Sequence, residues 1–172
     1  MTIIELLEYR RERDRFFAES YASPLPDEDR ASFTGLSYFP PKPALAVRAS
    51  LLRSKGTARI AHTTGADRSY HVVGTVEVTI EGRTRTLTVL NTGDGEAFIP
   101  IRDTTAGTET YEGGRYVPVE IRDDGIAVVD FNLAQNPWCV YDDEFACPLP
   151  PPENVLPFPL RAGEMTYEPP AS

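Results

Sequence analysis

The chain has only two cysteines, two histidines and one tryptophan in 172 residues. The cysteines, Cys139 and Cys147, are too few for a disulfide scaffold, so stability must come from the apolar 41% of the sequence. A chain of this length buries roughly 70% of the surface its unfolded form exposes, which is enough to fold without covalent staples. No apolar run approaches the roughly 18 residues of a membrane span. Met1-Thr2-Ile3-Ile4-Glu5 runs directly into charge where a signal peptide would place its apolar region. These absences predict a soluble, cytoplasmic protein with no membrane contact.

Positive charge is also scarce. The formal charge is −9, spread as −3 over residues 1–41, +2 over 42–119 and −8 over 120–172. A duplex-binding protein needs a basic stripe to displace phosphate counterions, and the densest basic run here is Arg10, Arg11, Arg13 and Arg15, interleaved with Glu12 and Asp14. That interleaving predicts a solvated, salt-bridged helix face and no nucleic-acid partner. No G-x-S-x-G, P-loop or G-x-G-x-x-G run is present, and Gly107 to Gly114 lacks the strand-to-helix grammar those motifs need. Gly113-Gly114 reads as a turn that needs a left-handed backbone. No repeat of 20–50 residues is visible, which argues against solenoids and propellers.

Thr2-Ile3-Ile4-Glu5 fits a capping box, and a helix from about Ile3 to Ser20 follows, with Ile3, Leu6, Leu7 and Phe17 as its predicted docking stripe. Ser23-Pro24-Leu25-Pro26 ends it, because proline cannot donate the N–H that a continuing helix requires. Asp27 to Phe33 suits one short helical turn. Pro40, Pro41 and Pro43 then carry residues 1–43 extended into a β core spanning 44–131.

Short strands separated by turn residues fill that core, the pattern of an antiparallel β-barrel or sandwich of about seven strands. Val76, Val78 and Ile80 alternate with polar residues, Glu81-Gly82 supplies a turn, and Leu87 and Val89 alternate with Thr84, Thr86 and Thr88. A second hairpin pairs Arg115–Arg122 with Ile126–Phe131 through Asp123-Asp124-Gly125. From residue 132 to 172 the chain changes character, with six prolines between Pro148 and Pro159. Such a tail is predicted to wrap the core in extended conformation, held by Phe145, Leu149, Val155, Leu156, Phe158 and Leu160, because proline removes ladder donors. The chain reads as a single domain.

Several runs carry a resemblance. Asp103-Thr104-Thr105-Ala106-Gly107-Thr108-Glu109-Thr110-Tyr111 with Gly114-Arg115-Tyr116 is one. Asp130-Phe131-Asn132 with Asn136-Pro137 and Cys139 is another, followed by Cys147-Pro148-Leu149-Pro150-Pro151 with Glu153-Asn154 and by Ala162-Gly163-Glu164. With Ser23-Pro24-Leu25 and Phe33-Thr34-Gly35-Leu36, these runs resemble the uncharacterised prokaryotic domain-of-unknown-function family 1684. That family usually carries an aromatic residue where this chain has Gln135. The resemblance implies a fold class and no established activity.

The polar residues Arg115, Tyr116, Asp130, Asn132, Asn136, Glu153 and Asn154 form the candidate site, with Tyr116, Phe131 and Trp138 as aromatic walls of a pocket at the barrel mouth. Asp130 ends an apolar strand and needs a cation or several N–H donors. With a two-residue turn at Asp123-Asp124, Arg115 lies diagonal to Asp130 and opposite Asn132; with a three-residue loop ending in Gly125, Asp130 faces Tyr116 instead. The leading functional expectation is non-catalytic binding of a small polar or anionic molecule at the Arg115/Asn132 end. A hydrolase or isomerase using Asp130 and Glu153 as an acid/base pair is the enzyme alternative, and a structural or interaction module is the third. The plainest reading has the Asn side chains tying down the proline-rich tail. Cys139 and Cys147, with His62 and His71, lack zinc-site spacing, so two free thiols and no metal or other cofactor are expected. A helix face left uncovered by the domain would point to a homodimer.

Overall fold

The computed structural model describes residues 1–171. Helix α1 spans Ile3–Glu19, and its first turn is closed by the capping box: Glu5 N–H donates to Thr2 Oγ1 at 3.2 Å and Thr2 N–H to Glu5 Oε2 at 2.6 Å. A one-turn helix, α2, follows at Asp27–Arg30.

The buried stripe of α1 differs from the apolar one. Leu6, Arg10 and Phe17 are buried, whereas Ile3 and Leu7 are exposed. Two of the arginines are therefore not solvated. Arg10 donates from Nη1 to the Phe39 carbonyl at 3.0 Å and lays its guanidinium over the Tyr38 ring at 4.5 Å from the centroid. Arg13 forms an ion pair with Glu164. Only Arg11 and Arg15 keep to the expected exposed face. The reason is amphipathicity within one side chain: arginine buries its methylene stem and carries a fork of donors to the carbonyls and carboxylate beneath the helix. Leu6→Ala is expected to cost about 2–4 kcal/mol by chemical denaturation. Leu7→Ala, at a position 40% exposed, should stay within about 0.5 kcal/mol of wild type.

Seven strands follow: β1 Ala46–Arg53, β2 Thr57–Ile60, β3 Arg68–Ile80, β4 Arg83–Asn91, β5 Ala97–Ile101, β6 Arg115–Ile121 and β7 Ile126–Asp130. They pair antiparallel in the order β1-β7-β6-β5-β4-β3-β2, and β1 also pairs with β3 at Leu51↔Val76. Six strands thus close into a barrel, with β2 as an extra strand on the edge of β3. Closure removes the open edges of a six-stranded sheet. Alternation makes the inside: Val76, Val78, Ile80, Leu87, Val89, Ile99, Ile101, Val117 and Val129 meet in one core, while Thr79↔Thr84 and Glu77↔Thr86 pair outside.

The β6–β7 hairpin has the three-residue loop. Val119 pairs with Val129, Ile121 with Ala127, and Arg122 N–H donates to the Ile126 carbonyl. Gly125 closes the loop at φ 82°, a left-handed backbone that a residue with a Cβ rarely adopts. This register puts Arg115 inside the barrel with Val117 and Val119, and Asp130 on the outer wall. The expected Arg115–Asp130 pair is therefore not formed.

The tail carries no strand. It runs through short 3-10 turns at Phe131–Leu133, Trp138–Val140 and Pro152–Asn154, touching the barrel by isolated bridges such as Arg102↔Val155. Leu156, Phe158, Leu160 and Ala162 are buried in the barrel core. Each large side chain so buried contributes about 1.5–3 kcal/mol relative to exposure. Phe145 and Val155, expected in the same role, are exposed.

Candidate functional site

The polar residues singled out in the sequence occupy four separate places. Arg115, 1% exposed, lies under residues 160–164. Its Nη2 donates to Asp103 Oδ2 at 3.0 Å and to the Leu160 carbonyl at 2.9 Å. Its Nη1 donates to the carbonyls of Ala162 and Glu164. Asp103 is satisfied in turn, since its Oδ1 accepts from Thr105 N, Thr105 Oγ1 and Leu160 N at 2.9, 2.6 and 3.0 Å. Gly163, at φ 74°, lets the tail cross here, because a Cβ would stand 2.4 Å from the Ala134 carbonyl oxygen. Four of the five N–H donors of this guanidinium are thus spent on protein acceptors, and the group is closed off from solvent.

Asp130 and Asn132 form the second place. Asp130 Oδ1 accepts from Asn132 N and Nδ2 at 2.9 and 2.8 Å, while the Asn132 carboxamide accepts from Lys42 N at 2.8 Å and donates to Lys42 O at 2.9 Å. Asn154 does the same to β4, accepting from Thr88 N at 2.8 Å and donating to Thr88 O and Pro100 O at 2.9 Å each. Beside it Glu153 Oε1 accepts from Thr88 Oγ1 at 2.8 Å. Each carboxamide thus supplies a missing backbone partner, Asn132 to the irregular chain at Lys42 and Asn154 to strands β4 and β5. Asp130 and Glu153 share no hydrogen-bond partner, and Glu153 lies outside both cavities that Asp130 lines.

The remaining residues, Tyr116, Asn136 and Trp138, do line one cavity. With Gln135, Pro137, Phe145 and Cys147 they enclose about 270 Å³. A second cavity of about 220 Å³ adjoins it across Tyr116 and Gln135 and adds Tyr70, Glu96, Phe98, Pro118 and Pro148. The rings run in series: Tyr70 to Phe98 at 6.4 Å, Phe98 to Tyr116 at 5.2 Å, and Trp138 to Phe145 at 5.4 Å, all edge to face. Trp138 is 40% and Phe145 37% exposed. Tyr116 is held by its hydroxyl, which donates to the Pro148 carbonyl at 2.6 Å, and burial pushes its phenol up, so it stays a donor. Phe131, expected as a wall, is instead fully buried in the core. Asn136 donates from its carboxamide to the Met165 carbonyl at 2.9 Å, and its own carboxamide oxygen is buried without a protein partner.

A broader concavity of about 530 Å³ lies on the outer wall of β5–β7 and carries Glu96, Glu120 and Asp130. Its acidity opposes an anionic ligand. Sequence reasoning missed Asp103, Glu164, Arg13, Phe145 and Cys147 as site or clasp residues. Asp103 and Glu164 stood only in the resemblance runs and Cys147 was weighed only as a free thiol or zinc ligand, and nothing in their spacing disclosed a partner. Among the described residues, no three His, Cys, Asp or Glu side chains gather as a metal site, and no helix is long and apolar enough to cross a membrane.

Residues 31–165 match the protein family of unknown function DUF1684. The chain belongs to this family. The DUF1684 fold is also similar to a solution NMR structure of an uncharacterised protein of Haloarcula marismortui, at 35% sequence identity and a TM-score of 0.72, covering 95% of this chain and 93% of that one. No curated protein matches the chain. For this DUF1684 member, function must be argued from its own residues.

Proposed function

We propose that this domain reversibly binds a small, flat, uncharged molecule in the aromatic cleft between Trp138 and Tyr70. The observation that carries this reading is the pair of exposed rings, Trp138 and Phe145, set edge to face beside a cavity lined by no charged side chain, with the Glu96 carboxylate on the adjoining cavity set against an anion. Two adjoining cavities of this size suit a ligand whose body stacks on aromatic faces and whose edge meets the Gln135 amide. The expected polar or anionic ligand is less well served, because Arg115 and Asn132 are buried, with the Nη1 and Nη2 donors of Arg115 and both amide donors of Asn132 already engaged.

A thermal-shift screen against a fragment set that separates uncharged aromatics from organic acids tests this, since a ligand of the folded state must raise the melting temperature. Uncharged aromatic hits should also quench the fluorescence of Trp138, and both signals should vanish in Trp138→Ala. Gln135→Trp, which fills the wall shared by the two cavities, should abolish binding by more than tenfold. Stabilisation by anions that survives in Trp138→Ala would refute the proposed site.

A further inference from the structure

Beside this cleft lies chemistry that reversible binding does not use. Cys139 sits in the 3-10 turn Trp138–Val140 with intermediate exposure, and Cys147 is buried behind it, lining the cleft. The two are free thiols in contact. Cys139 N–H donates to Cys147 Sγ at 3.4 Å, so the Cys147 sulfur lies within about 5 Å of Cys139 Cα, one N–Cα bond further on. The Tyr111 hydroxyl stands 3.9 Å from Cys139 Sγ, and Thr63 Oγ1 accepts from Cys147 N at 3.1 Å. An accessible thiol backed by a buried one within reach is the arrangement of an attacking and a resolving cysteine.

We propose that Cys139 and Cys147 form a redox-active dithiol, in which Cys139 reduces a hydroperoxide and Cys147 resolves the product. The Cys139 thiolate attacks the distal oxygen of the hydroperoxide; the S–O bond forms, the O–O bond breaks, and the alcohol leaves after taking up a proton. Cys139 is then a sulfenic acid. The Cys147 sulfur attacks it, the S–S bond forms, the S–O bond breaks, and hydroxide departs with the Cys147 proton as water. Two thiols have lost two electrons and two protons, and the hydroperoxide has become an alcohol and water. A small external dithiol returns the pair to the reduced state by exchange.

The surroundings suit this division. The hydrogen bond from Cys147 brings the Cys139 pKa down to about 6, against the opposing effect of burial, and the Tyr111 and Thr63 hydroxyls add to the lowering. The same contact, together with burial, pushes Cys147 up. The titratable groups facing the pair are Tyr111, with Glu112 next to it, and Tyr116 and Tyr70 on the Cys147 side.

The test is oxidation of the full chain by hydrogen peroxide, followed by intact mass. One equivalent should lower the mass by about 2 Da, reversibly with dithiothreitol. Cys147→Ser should trap a sulfenic acid that dimedone labels at Cys139, whereas Cys139→Ser should leave Cys147 unlabelled. The rate should fall as the pH drops below about 6, not below the ~8.5 of an ordinary thiol. Direct oxidation to sulfinic acid without a disulfide, or equal labelling of Cys147 in Cys139→Ser, would overturn the proposal. Trp138→Ala keeps both thiols, so failure of peroxide chemistry and failure of ligand binding are scored separately.

Discussion

Replacing Arg115 by alanine should lower the stability of the fold by about 3–5 kcal/mol, among the largest effects expected of polar substitutions in this chain. The substitution strands the Asp103 carboxylate in the interior without its cation. It also uncovers the carbonyls of Leu160, Ala162 and Glu164, each buried and each a costly group to leave without a donor. Arg115→Lys should recover only part of the loss, because a point charge on a flexible stem cannot serve a carboxylate and three carbonyls from one planar fork. Urea titration reads both variants, with an unchanged slope as the sign that stability alone has moved. A loss within about 0.5 kcal/mol would mean that the guanidinium is not buried.

Glu164→Ala should cost about 3–5 kcal/mol for a related reason. Its side chain, 2% exposed, pairs with Arg13 from helix α1. Its Oε2 accepts from Asn136 N at 2.7 Å and from the Tyr141 hydroxyl at 3.4 Å. One carboxylate thus joins the first helix, the tail and the segment after β7. Removing it leaves Arg13 half-buried without a partner, so amide exchange in α1 should accelerate more than exchange in the barrel strands. Glu164→Gln, which keeps an acceptor for Asn136 N but loses the charge, should be milder. Equal acceleration in α1 and the barrel would show that the helix does not open separately.

The barrel was legible because period-two alternation is a local signal. Val76, Val78 and Ile80 facing Leu87 and Val89 across a two-residue turn leave one possible inside. The β6–β7 register was not legible, because Asp123-Asp124-Gly125 serves either loop length and the two choices send Asp130 to opposite faces. The partners of the buried charges were equally hidden. Arg115 meets Asp103 from an irregular loop, and Arg13 meets Glu164 across 151 residues, with no periodicity to connect them. The helix misled for a physical reason: Ile3 and Leu7 are the more apolar residues, yet Arg10 and Arg13 are the ones whose heads have acceptors waiting beneath. Of the site, Tyr116, Trp138 and Asn136 were recognised and do meet. Asn132 and Asn154 complete the hydrogen bonding of backbone at Lys42, Thr88 and Pro100, whereas Asn136 keeps a carboxamide oxygen without a protein partner.

Two double-mutant cycles measured side by side test most directly whether the marked polar residues serve the fold and leave the cleft to the aromatics. The account predicts coupling of at least about 1 kcal/mol between Arg115→Ala and Asp103→Ala, since these groups are in contact. It predicts additivity within about 0.5 kcal/mol between Arg115→Ala and Asp130→Ala, whose side chains point to opposite faces of the barrel wall. Strong coupling of Arg115 to Asp130, with none to Asp103, would contradict the hairpin register and return Arg115 to the candidate binding site.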